Sequence, residues 1–184
     1  MKKFIAAWLA VTALLSSLAS AGPVAHKAAA AKPITARPAF EFKGITAGQP
    51  ADMSLLNACH SADNAQTQCS FKDGAVAGIN NTLPPTVYLY DNKISTMLYL
   101  FSAKGTDFLT ISAALQAKYG PPCKTETQPW QSRAGAHYDN AVLTWCFKTG
   151  KLELEQLSTS LDYGDLIYTD DVNKPPTAAP KVDF

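Results

Sequence analysis

The amino-acid sequence predicts an α+β domain in which short helices pack on antiparallel β-hairpins. One observation is the alternation of apolar and polar residues on both sides of short turns, which is typical of hairpins with one solvated face. The other is an amphipathic stretch at residues 108–119, whose apolar residues recur at helical spacing. Helices placed on one side of antiparallel hairpins form the α+β arrangement.

The first half of the predicted domain, residues 40–103, is expected to contain one helix and two hairpins. Pro50 suits the first position of a helix, and Asp52 favours the positive end of the helix dipole. The hairpin around Asp91-Asn92 is the clearest, because both arms are rich in β-forming residues. The predicted elements are a strand at 40–44, a helix at 51–58, a polar loop at 60–68, a weak hairpin about Asp73-Gly74, and a hairpin of 86–90 with 94–101.

The second half, residues 104–171, opens with the best-defined helix of the chain. Asp107 is a suitable N-cap, Gly120 a suitable C-cap, and Pro121-Pro122 prevents continuation of the helix. The predicted elements are a helix at 108–119, strands at 123–130, 141–147 and 151–157, and a short strand at 166–168. Both halves therefore show a helix followed by a hairpin, which suggests a tandem helix-plus-hairpin repeat.

The N-terminus predicts export of the protein. Lys2 and Lys3 precede an apolar run at residues 4–15, and Ala19-Ser20-Ala21 supplies small residues at the spacing of a signal-peptide cleavage site. Residues 1–21 are therefore interpreted as a signal peptide, and the mature chain is expected to be a soluble periplasmic or secreted protein without a transmembrane segment. Residues 22–39 are interpreted as a flexible Ala/Lys/Pro spacer, residues 40–171 as a single domain, and residues 172–184 as a disordered tail.

The four cysteines indicate two disulfides, because an even number of cysteines in an oxidising compartment is typical of crosslinked exported proteins. Three pairings are possible, and we favour Cys59–Cys69 with Cys123–Cys146 because each pair then lies within one half of the domain. The alternative is a metal site. It is disfavoured because zinc sites usually pair cysteines two to four residues apart, closer than any pair here.

Two segments resemble a known group of proteins. The stretch ITAGQP at residues 45–50 before a helix, and the helix end LQAKYGPP at residues 115–122, are similar to the β-lactamase-inhibitor-protein-like superfamily, which includes the BamE-like assembly lipoproteins. The resemblance implies helices on β-hairpins and a habit of protein binding. It implies no catalytic residue.

Composition and motifs argue against most chemistries. Residues 40–168 hold nine basic and twelve acidic side chains, which excludes the basic face of a nucleic-acid-binding protein. No nucleophile, zincin or phosphate-loop signature occurs, so we expect a non-enzymatic chain without cofactor or metal. The alternative is a hydrolase that uses His60, near Asp63, or His137, near Asp139, as a general base.

Acidic residues gather near the C-terminal end of the domain. We interpret them as a solvated rim, with a calcium site as the alternative. They are Asp162, Asp165, Asp170 and Asp171.

The leading functional hypothesis is a module that binds another envelope or secreted protein through the outer face of its sheet and the 131–139 loop. An exposed tryptophan beside an arginine is typical of interface hot spots. The candidate contact residues are Tyr88, Tyr90, Trp130, Arg133 and His137. An inhibitor or immunity protein against an envelope hydrolase is the alternative form of this role.

Overall fold

A computed structural model describes residues 37–80 and 83–176, and an eight-stranded antiparallel sheet organises them. A two-stranded hairpin, one 3-10 turn (Met53–Leu55) and one α-helix complete these parts of the chain. The strands are β1 (Glu41–Phe42), β2 (Ile45–Thr46), β3 (Leu56–Ser61), β4 (Thr67–Phe71), β5 (Thr86–Tyr90), β6 (Lys93–Ser102), β7 (Lys124–Gln131), β8 (His137–Cys146), β9 (Gly150–Ser160) and β10 (Tyr163–Asp170), and the helix is α1 (Asp107–Tyr119).

The sheet consists of two four-stranded meanders that meet at their last strands. Its order is β3-β4-β5-β6-β10-β9-β8-β7, and β6 pairs with β10 in the middle. The chain must therefore cross from the centre to the far edge after β6, a distance of about 19 Å over four strand spacings. Helix α1, with 13 residues, spans about 20 Å, which matches this crossing.

Alternate residues of the strands form the hydrophobic core on the face that α1 and the β1–β2 hairpin cover. In β5, for example, Val87 and Leu89 are buried while Tyr88 points to the other side. Ile111 and Leu115 of α1 belong to the same core cluster. Phe40 lies fully buried before β1, stacked on Tyr168 of β10 with ring centroids 3.9 Å apart.

Helix α1 agrees closely with the prediction from sequence. Gly120 is the C-cap at φ 81°, a conformation that glycine adopts without strain, and its N–H donates to Gln116. The N-cap is Thr106 rather than Asp107, and Asp107 is the first helical residue, where its charge favours the helix dipole.

Both predicted disulfides are confirmed, and each joins the first two strands of its own meander. Cys59 of β3 is bonded to Cys69 of β4, and Cys123, just before β7, is bonded to Cys146 of β8. The two crosslinks therefore hold the two outer edges of the sheet. Loops of this size contribute about 3 kcal/mol each on the chain-entropy model.

The predicted α+β class, with short helices packed on hairpins, is wrong, because the described residues form mainly strands and a single α-helix. The predicted helix at 51–58 is replaced by the 3-10 turn and strand β3. Asp52 does cap the turn by accepting from the Ser54 N–H. An eight-residue segment is too short for the spacing of its apolar residues to separate helix from strand, and pairing with β4 decided the outcome.

Two further expectations are corrected. The weak hairpin about Asp73-Gly74 is not formed, since β4 pairs with β3 and β5, and Val76 makes only an isolated bridge with Ile79. The acidic residues are not all a solvated rim, because Asp165 is 6% exposed and Asp170 is fully buried. Asp165 is covered through the pairing of β10 with β6 and β9, and Asp170 accepts from the Tyr168 hydroxyl and from the N–H groups of Val172 and Asn173.

The predicted signal peptide at 1–21 lies outside the described residues, as do most of the predicted spacer at 22–39 and of the tail at 172–184. Within the described part, Asn173 donates from its side chain to the carbonyls of Tyr90, Lys93 and Ile94, which ties the chain after β10 to the end of the β5–β6 hairpin. No helix among these residues is long and apolar enough to cross a membrane.

Candidate binding face of the sheet

The face of the sheet opposite α1, here called the open face, carries no helix or strand from elsewhere in the described chain. Residues directly opposite each other in neighbouring strands share a face, so the pairing register assigns its members. Its members include Thr86 and Tyr88 of β5, Thr96, Leu98 and Leu100 of β6, Asp165, Ile167 and Thr169 of β10, Lys151, Glu153 and Glu155 of β9, Asn140, Val142 and Thr144 of β8, and Lys124 and Glu126 of β7.

A pair of carboxyl groups lies at the centre of the open face. Asp165 of β10 stands directly opposite Glu155 of β9. The Ser158 hydroxyl donates to Asp165 Oδ2, while the buried Oδ1 has no hydrogen-bond partner among the described residues. Glu155 is half-buried and accepts a long hydrogen bond of 3.5 Å from the Asn140 amide. An orphaned buried acceptor is rare in native structures and calls for an explanation.

A bulge in β9 creates this arrangement. Ser160 pairs with Tyr163 but Glu155 pairs with Asp165, so β9 has extra residues at 156–159 that β10 does not match. The Asn140 side chain fastens the bulge through both backbone groups of Leu157, at 2.7 and 2.8 Å. The bulge turns the Ser158 hydroxyl toward Asp165. Bulges of this kind commonly re-aim side chains next to functional sites.

Charge on the open face is compensated everywhere except at this pair. Lys124 forms an ion pair with Glu126 at 2.8 Å, and Lys151 forms one with Glu153 at 2.7 Å, each within its own strand. Burial raises the pKa of Asp165. The hydrogen bond from Ser158 lowers this pKa in part, and the negative charge of Glu153 raises it further. The pKa of Glu155 is also raised, mainly by burial and to a smaller extent by the negative charge of Asp165.

Asp165→Asn is expected to make the protein more stable at neutral pH and to weaken the pH dependence of its stability. Because folding raises the pKa of Asp165, the native state holds this proton more tightly than the unfolded chain. Stability is therefore lost as the pH rises from about 4 through the raised pKa. The amide removes that loss, so we expect a gain of about 1 kcal/mol at pH 7, measured by urea denaturation between pH 4 and 8.

Asp73→Asn is the matched control, because the Asp73 side chain is 73% exposed, in contrast to the buried Asp165, and forms an ion pair with Lys43. We expect its free energy of unfolding at pH 7 to lie within about 1 kcal/mol of that of the wild type. An Asp165→Asn protein that lost stability between pH 4 and 8 as steeply as the wild type would contradict the assignment of the buried charge.

The structure does not bring the five predicted contact residues into one patch. Tyr88 and Tyr90 lie on β5, whereas Trp130 lies on β7, five strand spacings or about 24 Å away. Arg133 and His137 belong to the β7–β8 turn and the start of β8, and both are exposed. A partner that contacts both groups must therefore span the whole width of the open face.

Each group has a definite environment. Trp130 is half-buried beside Tyr138, with ring centroids 6.0 Å apart, and its indole N–H donates to the Ser158 carbonyl. Trp130 therefore stabilises the β9 bulge beside Asp165, a role separate from any contact with a partner protein. His137 Nε2 lies 3.3 Å from the amide nitrogen of Gln131.

The second candidate histidine lies beside Tyr88. His60, Asp63 and Tyr88 line a polar depression of about 520 Å³ formed by the loop between β3 and β4. His60 Nδ1 is 3.2 Å from the Ala58 carbonyl, so this ring nitrogen is directed at the backbone.

A small cavity of about 230 Å³ lies on the other side of the molecule, between α1 and the β1–β2 hairpin. Ile111 and Leu166 contribute apolar walls. Lys43 and Lys118 also line it, but each is already paired, with Asp73 and Glu41 respectively. The cavity therefore offers no uncompensated charge, in contrast to the open face.

Comparisons add no relative from which a role could be transferred. Neither a protein-family model nor a curated protein nor a solved structure matches the chain. In residues 37–80 and 83–176, no group of three or more His, Cys, Asp or Glu side chains is placed to hold a metal ion.

Proposed function

We propose that the chain is an exported, non-enzymatic protein-binding module whose open face contacts another envelope or secreted protein. The observation that carries the proposal is the combination of half-buried apolar residues, Leu98, Leu100 and Ile167, with an uncompensated carboxylate pair on one surface. Apolar side chains next to a few placed charges are characteristic of specific interfaces, where the charges select the partner.

The compartment belongs to the same proposal. The two disulfides indicate an oxidising environment, and the predicted signal peptide at 1–21 supplies the route to a periplasm or to the exterior. The crosslinks also hold both outer edges of the sheet, so a partner meets a surface whose shape is set before binding. Preorganisation of this kind lowers the entropic cost of association.

The sheet edges are poor alternatives to the face. A partner strand added to an edge needs a regular row of backbone groups. Edge strand β7 contains Pro129, which has no N–H to donate, and edge strand β3 is irregular at Ala58, whose φ is 47°. Both features are typical of edges that resist strand addition, which favours binding by the open face.

The proposal keeps from the resemblance to the β-lactamase-inhibitor-protein-like superfamily only the habit of protein binding, because the helix expected after residues 45–50 is not formed and only the helix end at 115–122 is present. Identification of the partner decides between a scaffold role and inhibition of an envelope hydrolase.

Photo-crosslinking from single positions tests the proposal. A photoreactive amino acid at Leu98 or at Ile167 is expected to capture the same protein in the native envelope. The same amino acid at Leu109, which is 65% exposed on α1, is the matched control and is expected to capture none of it. With the purified partner, Ile167→Arg should weaken binding about tenfold or more, because it places a charge in the apolar centre of the interface.

Equal capture from Leu109 and from the two open-face positions would contradict the proposal. So would undiminished binding of the purified partner by Ile167→Arg, provided that circular dichroism shows the variant to be folded.

A further inference from the structure

Building on the proposed function, we propose that Glu155 and Asp165 form a receptor for one arginine side chain that projects from the partner protein. Glu155 is half-buried and supplies the more accessible carboxylate, while Asp165, directly opposite on β10, supplies a second, buried carboxyl group. The partner is thereby defined by its chemistry: it carries an exposed arginine surrounded by apolar residues.

Two independent observations point to a missing cationic donor. The first is the orphaned Asp165 Oδ1, on a side chain that is 6% exposed and faces the same side of the sheet as Glu155. The second is the direct opposition of two carboxyl groups on neighbouring strands, an arrangement that destabilises a sheet when both are charged. A cation placed between the two carboxylates attracts both of them and so outweighs their mutual repulsion.

No cation of the described chain fills this role. The nearest lysines on the open face, Lys124 and Lys151, are paired with Glu126 and Glu153. The residues that flank the pair on the next strands are apolar. Leu100 of β6 stands opposite Asp165, and Val142 of β8 stands opposite Glu155. Because these neighbours exclude water, a charge contact made here is stronger than the same contact on an exposed surface.

Geometry and charge favour arginine over other cations. Directly opposed residues of antiparallel strands have Cβ atoms about 5 Å apart, so one flat group can address both carboxyl groups. A guanidinium presents five donors in a planar fork, stays charged at every accessible pH and is weakly hydrated. Lysine offers a compact, strongly hydrated charge that fits this half-buried pair less well.

N-acetyl-arginine amide is the probe, with N-acetyl-citrulline amide as its uncharged control of the same shape. The side-chain carboxyl ¹³C signals of the uniformly labelled protein are followed by NMR at low ionic strength and pH 7. We expect arginine to shift the signals of Glu155 and Asp165 saturably and to lower the pKa of Asp165, while citrulline shifts neither. N-acetyl-lysine amide is expected to bind several-fold more weakly.

Variants separate the site from general electrostatic attraction. Glu155→Gln is expected to weaken binding of the arginine probe about tenfold or more, followed by the remaining carboxyl signal of Asp165. Asp73→Asn, which removes an exposed carboxylate on another part of the molecule, should bind the probe like the wild type. Equal shifts with citrulline, shifts spread over all carboxyl groups, or unchanged binding by Glu155→Gln would each overturn the receptor proposal.

The two proposals can fail separately. If photo-crosslinking at Leu98 and Ile167 identifies a partner but the probe does not bind Glu155, the binding module stands and the arginine receptor fails. If the probe binds Glu155 and no protein is captured from the open face, the cation site stands and the protein-binding function fails.

Discussion

Replacing Phe40 with alanine is expected to lower the free energy of unfolding by about 3–5 kcal/mol, the usual range for a large aromatic side chain removed from a core. Phe40 is fully buried although it lies outside the sheet, just before β1. Its ring stacks on Tyr168 at 3.9 Å and meets the edge of Phe147 at 5.3 Å. It thereby fastens the N-terminal segment to the middle of the sheet.

Phe42→Ala is the matched control for Phe40→Ala, since it removes the same side chain two residues away. Phe42 is only half-buried, so we expect a smaller loss of stability, measured by urea denaturation of both variants. A loss for Phe40→Ala no greater than that for Phe42→Ala would show that the segment before β1 is not part of the cooperative core.

Gly150→Ala is expected to destabilise the protein by about 3 kcal/mol, at the upper end of the range for overpacking. Gly150 begins β9 and stands opposite Asp170. An added Cβ would lie 2.0 Å from the carbonyl oxygen of Thr169, a backbone atom held in the β9–β10 pairing. Relief therefore requires β9 and β10 to separate at the point where β9 begins.

Gly74→Ala provides the control for Gly150→Ala. Its added Cβ would lie 3.7 Å from the nearest atom, Pro84 Cβ, which is ordinary van der Waals contact. We expect its thermal midpoint to stay within about 2 °C of the wild type, while that of Gly150→Ala falls by roughly 6–12 °C. Similar midpoints for the two variants would mean that the start of β9 can shift at little cost.

Local sequence patterns predicted several elements well. The apolar spacing of α1 together with Gly120 led to bounds within one residue of those observed. Alternation and β-forming residues likewise located the β5–β6 hairpin, β8 and β9. These predictions depend on interactions between residues a few positions apart, which the sequence displays directly.

The candidate site was predicted less well. Tyr88 lies on a strand of the sheet, as predicted. Its grouping with Trp130 required the two residues to be neighbours, whereas the strand order places β5 and β7 five strand spacings apart. The alternation of Lys151, Glu153 and Glu155 did mark a polar side of β9. Nothing local indicated that Asp165 would stand opposite Glu155, because that pairing depends on the bulge at residues 156–159 of β9.

Local features of the sequence were enough to locate the long helix and the strongest strands and to favour one of the three possible cysteine pairings, because capping residues, short-range periodicity and cysteine spacing are properties of neighbouring residues. Three features of the fold had no local signal: residues 56–61 form an edge strand, β6 pairs with β10, and two carboxyl groups meet on the open face. These outcomes depend on contacts between distant segments. In a sheet, a shift of one residue in register exchanges the two faces, so the sequence of one strand cannot specify which side chains share a surface.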